Sequence, residues 1–113
     1  MSTTIIANLE KLLDGPRDNA LLRFSLGNEH LKAGDPAQAA IRFREAVTRD
    51  SKFSAAWKLL GKSLAESGKM AEALAAYEEG ISVADARGDI QAAKEMSVFA
   101  KRLRKQAADE QAP

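Results

Sequence analysis

The stretches "RFSLGNEHLKAGDPAQAAIRFREAV", Arg23–Val47, and "WKLLGKSLAESGKMAEALAAYEEGI", Trp57–Ile81, lie 34 residues apart and match without a gap. Leu26 meets Leu60, Gly27 meets Gly61, and Gly34 meets Gly68. Ala39 meets Ala73, Phe43 meets Tyr77, Ala46 meets Gly80, and Val47 meets Ile81. Small residues meet small ones and large residues meet large ones. A fixed period of this length marks stacked helical units, each burying its face on the next. The match also disposes of a false lead. Gly61-Lys62-Ser63 resembles the end of a phosphate-binding loop, which needs a glycine five residues earlier and a preceding strand. The chain has Ala56 at that place and a helical stretch, "FSAAWKLL", before it. Gly61 therefore reads as a helix–helix contact.

The helical reading extends outward from the matched pair. Ile5, Ile6, Leu9, Leu12 and Leu13 share one helical face and predict a helix over 3–14, closed by Gly15-Pro16. Asp18 is placed to cap a second helix, which should end at Ala33-Gly34. Asp35-Pro36-Ala37-Gln38 combines an N-cap, a first-turn proline and a capping-box glutamine, and opens a third helix running to Arg49. Further helices are expected over 54–67, 70–86 and 90–106, separated by Gly68 and Gly88-Asp89. The expected fold class is all-α, with about six helices in antiparallel neighbouring pairs. The domain should span 1–108, with repeats at 20–53 and 54–87, a capping helix at 89–106, and a flexible tail over 107–113.

Composition narrows the function. A chain of 113 residues makes one domain. Its 17 basic and 16 acidic residues create no overall attraction to nucleic acid or to a membrane. With no cysteine, disulfides, thiol catalysis and cysteine zinc sites are excluded, and a reducing cytoplasmic location is expected. A single histidine, His30, cannot build a histidine-rich metal site. No apolar run approaches the ~20 residues of a membrane span, and the N-terminus lacks the basic region of a signal peptide. No Ser-His-Asp set or paired carboxylates stand in a supporting context. The expectation is a non-enzyme with no cofactor, no metal and no small-molecule substrate.

The period and its residues resemble the tetratricopeptide repeat family, whose pattern runs W-x2-L-G-x2-Y, then A-x3-F. The second unit carries Trp57, Leu60, Gly61, Ala73 and Tyr77, with Leu64 in place of the tyrosine. The first carries Leu26, Gly27, Ala39 and Phe43, with Arg23 for the tryptophan and His30 for the tyrosine. Ser51 stands at the usual proline between units. The resemblance covers residues 20–87 and implies a short right-handed α-solenoid. The last helix has Lys94-Glu95 where a third Leu-Gly pair would fall, and so reads as a cap with a polar outer face. Trp57 and His30 are then expected to be packing residues.

Family geometry implies a concave groove lined by the first helix of each pair. By position it would take Leu21, Phe24, Asn28 and Leu31 from the first unit, and Ala55, Lys58, Lys62 and Ala65 from the second. Met96 and Phe99 would come from the last helix. Lys58 and Lys62, four apart, share one face and suggest an acidic partner segment with apolar anchors. The alternative is that these lysines are simply solvated and the phenylalanines are core. A family subclass grips a C-terminal carboxylate with lysine, asparagine and arginine. Only Asn28 matches it here; Phe24, Leu59, Asp89 and Ala93 occupy the other positions.

The run "KRLRK", Lys101–Lys105, suits acidic lipid or nucleic acid, or equally a helix C-terminus whose dipole favours cations. Three functions follow in order. The first is an adaptor binding a protein or peptide segment in its groove. The second is a self-associating or structural subunit, a monomer or weak homodimer by itself. The third, a distant one, is nucleic-acid binding through the last helix.

Overall fold

The computed structural model describes residues 2–111 and consists there of six α-helices. They are α1 (Ser2–Glu10), α2 (Ala20–Lys32), α3 (Pro36–Arg49), α4 (Ser54–Glu66), α5 (Met70–Arg87) and α6 (Ile90–Gln111). Each helix packs on the next in the chain, and α4 also touches α6. This chain of neighbours gives an elongated body of 49 × 32 × 19 Å. Local chemistry sets most boundaries. Asp35 accepts from the Gln38 amide at the start of α3, with Pro36 where no intrahelical N–H is needed. Gly34, Gly68 and Gly88 adopt φ of 79°, 80° and 75° just past three helix ends, a conformation that favours glycine.

The core is a continuous row of small and large residues. Leu26, Phe43, Leu60 and Met96 are completely buried, among Ala39, Ala46, Ala56, Ala73, Ala84 and Ala100. The glycines of the repeat are contact points of a particular kind. A Cβ on Gly27 would lie 2.6 Å from the Phe43 ring, and a Cβ on Gly61 would lie 2.6 Å from the Tyr77 ring. Within each hairpin an aromatic ring thus packs directly against the glycine backbone, so the two helices approach closely.

Both ends depart from expectation. The first helix ends at Glu10, short of the expected Asp14, and passes into i→i+3 turns from Leu12 to Leu9 and from Leu13 to Glu10. The residue with positive φ there is Asp14 at 63°, one before the expected Gly15. Asp18 does not cap α2. Its carboxylate accepts from the Asp14 amide and from the Arg23 side chain. Asn19 takes the cap instead, accepting from Leu22 N at 2.8 Å. At the other end α6 continues to Gln111, so the expected tail begins as helix over 107–111, while 112–113 lie outside the described residues.

The buried face of α6 is Ala93, Met96, Ala100 and Leu103. It does not follow the 34-residue period, which would have placed Lys94 and Glu95 on the α5 side. The last helix is turned about its axis relative to α2 and α4, because its apolar residues fall at different positions.

Candidate interaction surfaces

The ten positions expected to line a concave groove do not form one surface. On α2, Leu21 is 62% exposed, while Phe24, Asn28 and Leu31 are partly buried. The Phe24 ring lies 4.6 Å from Phe53 and 5.6 Å from Phe43, so its base belongs to the core. On α4, Ala55 and Lys62 are exposed, and Lys58 and Ala65 are partly buried. On α6, Met96 is wholly buried and unavailable to a partner. It fills the space left by Gly80, where a Cβ would meet its sulfur and the Cβ of Trp57. Phe99, 36% exposed, stacks on Tyr77 at 5.6 Å, with the Arg102 guanidinium 5.8 Å from its centre.

The two lysines differ. Lys58 Nζ lies 2.8 Å from Glu95 Oε2, and this hydrogen bond holds the Glu95 carboxyl below its ordinary range. Lys58 is therefore already paired across a cleft of about 210 Å3 between α4 and α6. Lys62 is exposed and has only a loose i,i+4 contact with Glu66 at 4.0 Å. The basic run divides as well. Leu103 points inward, Arg104 bonds Glu78 at 3.1 Å, and Arg102 covers Phe99. Trp57 donates from Nε1 to the Ser51 carbonyl at 2.9 Å.

Arg23, where the repeat pattern has tryptophan, is the centre of a buried ion cluster. Its side chain is 7% exposed and that of Asp18 is 5% exposed. Nε lies 2.9 Å from Asp18 Oδ1, and one terminal nitrogen lies 2.9 Å from Glu45 Oε1. The other approaches Asp14 at 3.5 Å and also bonds Asp18. Arg42 bonds Glu45 at 3.0 Å and reaches Glu10 at 3.8 Å, while Arg49 lies 3.6 Å from Asp18. The Arg23 hydrogen bond, aided by the Asp14 amide, holds the Asp18 carboxyl far below the usual carboxylate range. Burial alone would raise Glu45, but the Arg42 and Arg23 hydrogen bonds outweigh it and leave that carboxyl lowered. The cluster ties the α1–α2 connection to α3. Its signal in the sequence was an arginine at a packing position, which demands nearby anions.

A larger groove, about 710 Å3, runs along α3 and is closed by the end of α4 and the start of α5. None of the ten expected positions lines it. His30 is buried, as a packing residue should be, and its Nε2 meets no hydrogen-bond partner. Among the described residues no helix is long and apolar enough to cross a membrane, and no His, Cys, Asp or Glu group is arranged to hold a metal.

Known proteins agree with this architecture. The tetratricopeptide repeat family model matches residues 24–89. A TPR repeat-containing protein of Pseudomonas aeruginosa is 48% identical over 99 residues, covering 88% of this chain and 94% of its own. A solution structure of a Bordetella parapertussis protein superposes with a TM-score of 0.78 at 40% identity, covering 94% of this chain and 92% of that one. A tetratricopeptide repeat domain protein of Salinibacter ruber gives a TM-score of 0.70 at 27% identity, covering 80% and 90%. With the family model spanning more than half of the chain and a relative of nearly equal length, the chain belongs to the tetratricopeptide repeat family.

Proposed function

We propose that the protein is a non-catalytic adaptor that binds a segment of a partner protein on the concave face formed by α2 and α4. Tetratricopeptide repeats generally mediate protein–protein interaction, which supports the class of function. The observation that carries the site is Leu21, a large apolar side chain 62% exposed on the same α2 face as Phe24, Asn28 and Leu31. An exposed leucine on α2 and an exposed lysine, Lys62, on α4 suit a partner segment that carries an apolar anchor and a carboxylate. Lys58 and Met96 take no part, for the reasons given above. The test compares partners captured from a native lysate by the parent chain and by Leu21→Asp combined with Lys62→Glu. Capture should be lost in the double variant and kept by Glu79→Lys, an exposed control. Equal capture by all three would refute the concave assignment.

A second reading is self-association through the ends of the solenoid. Ile5 on α1 is 45% exposed, and Ile90 and Val98 on α6 are 65% and 52% exposed. A mass in light scattering that stays monomeric as concentration rises would remove it.

A further inference from the structure

We propose that the groove along α3 is a second docking surface, and that it receives an acidic amphipathic helix of a partner protein. This face is separate from the concave one and does not depend on it. The floor is apolar: Ala37 and Ala40 are small, Ile41 is 50% exposed although it is a large apolar residue, and buried Leu64 closes the far side. Ala37, Ala40, Ile41, Arg44 and Thr48 follow i, i+3, i+4, i+7 and i+11, which is one ridge of a helix. Alanines at its start let a second helix approach at the ~8–10 Å spacing of packed helices. From Ala37 to Arg49 the ridge rises about 18 Å, or roughly three turns of a docked helix.

Charge selects the occupant. Arg44 and Lys69 stand at the rim, with Arg49 beside them but already 3.6 Å from the buried Asp18 carboxylate. Of the acids there, Glu45 is held between Arg23 and Arg42. Glu72 meets Arg44 only loosely, at 3.9 Å, with both side chains more than half exposed. Such a solvated pair yields readily to a better-placed carboxylate. The rim thus presents spare positive charge over an apolar floor, the complement of an apolar stripe edged by Asp or Glu. A second copy is disfavoured at its most charged helix, since α6 carries Lys101, Arg102, Arg104 and Lys105. On the concave face, by contrast, Lys58 is already neutralised by Glu95.

The test titrates the isotope-labelled full chain with a synthetic helical peptide of about 18 residues, long enough to hold a helix, with a leucine stripe edged by glutamates. A counterpart peptide carries lysines in their place. Saturable shifts are expected at the amides of Ile41, Thr48 and Lys69. Arg44→Gln with Lys69→Gln should weaken binding about tenfold or more, and Leu21→Asp with Lys62→Glu should leave it unchanged. Both pairs of substitutions are at exposed residues, so the fold, read by amide dispersion, should persist. The proposal is overturned if no saturable shift appears, if the shifts map to Leu21 and Lys62, or if the lysine peptide binds equally well. It is also overturned if dilution alone moves the α3 resonances, which would make the groove a contact between copies. Loss of lysate capture by the Leu21→Asp variant with peptide binding intact would separate the two surfaces.

Discussion

At Gly27 and Gly61 the chain has no room for one methyl group. The Phe43 and Tyr77 rings lie where a Cβ would be, 2.6 Å away in both cases. Gly27→Ala or Gly61→Ala should cost about 1–3 kcal/mol by overpacking. Part of this should return when Phe43 or Tyr77 is shortened to leucine, as read in a denaturation double-mutant cycle. Gly34→Ala meets nothing within 4 Å, yet its φ of 79° is strained for alanine. It should lose about 1–2 kcal/mol with no rescue from any neighbour. Tyr77 offers a direct titration, since it is the only tyrosine in the chain. Burial, with the Glu66 charge adding to it, pushes its phenol up to about 12. A raised pKa means that folding holds the proton. The stabilisation is complete below about 10, the ordinary phenol value, and is lost as pH rises through about 12. Tyrosinate absorbance should therefore appear near that pH together with loss of helix, and Tyr77→Phe should stay folded further into base.

Among elements, the α1–α2 connection and α6 are held by opposite means. The connection depends on charge. Asp18 and Glu45 are both lowered, so their contribution is present above about pH 4, the ordinary carboxylate range, and fades as pH falls through the folded values. Acid titration followed by Trp57 fluorescence should show stability falling below about pH 4. Arg23→Leu would strand buried Asp18 and should lower the denaturation midpoint far more than Arg44→Leu, which touches only an exposed pair. The α6 cap depends on shape. Met96→Ala should cost about 2–5 kcal/mol and speed hydrogen exchange through α6. Ending the chain at Gln106 removes residues 107–113, of which the described ones, 107–111, are all exposed, and should change stability by less than about 0.5 kcal/mol.

For the whole molecule, order along the chain is also order in space, so each helix is stabilised mainly by its two neighbours. A chain ending at Gly88 should therefore unfold at lower denaturant than Met96→Ala, since it uncovers Gly80, Tyr77 and Ala84 together. The period, the helix pairs and the helix–helix contact at Gly61 were legible because they depend on local spacing and on residue size, whereas the Phe43 and Tyr77 rings as the glycines' partners were decided by the tertiary structure. The α3 cap was legible because Asp35 and Gln38 lie within one turn. The role of Asp18 was not. It is a good cap by type, and only the approach of Arg23 and the Asp14 amide shows that its oxygens are already taken. Lys58 likewise reads as a free cation until Glu95, thirty-seven positions on, comes within 2.8 Å.

The sequence by itself determined a stack of antiparallel helices and its tetratricopeptide kinship, because packing at a 34-residue period writes small and large residues at regular intervals. Tertiary structure alone decided which surfaces remain to be used. It turned α6 so that Met96 went inside, paired Lys58 with Glu95, and opened an arginine-rimmed groove on α3. The availability of a side chain depends on what folds against it, and those neighbours come from distant parts of the chain.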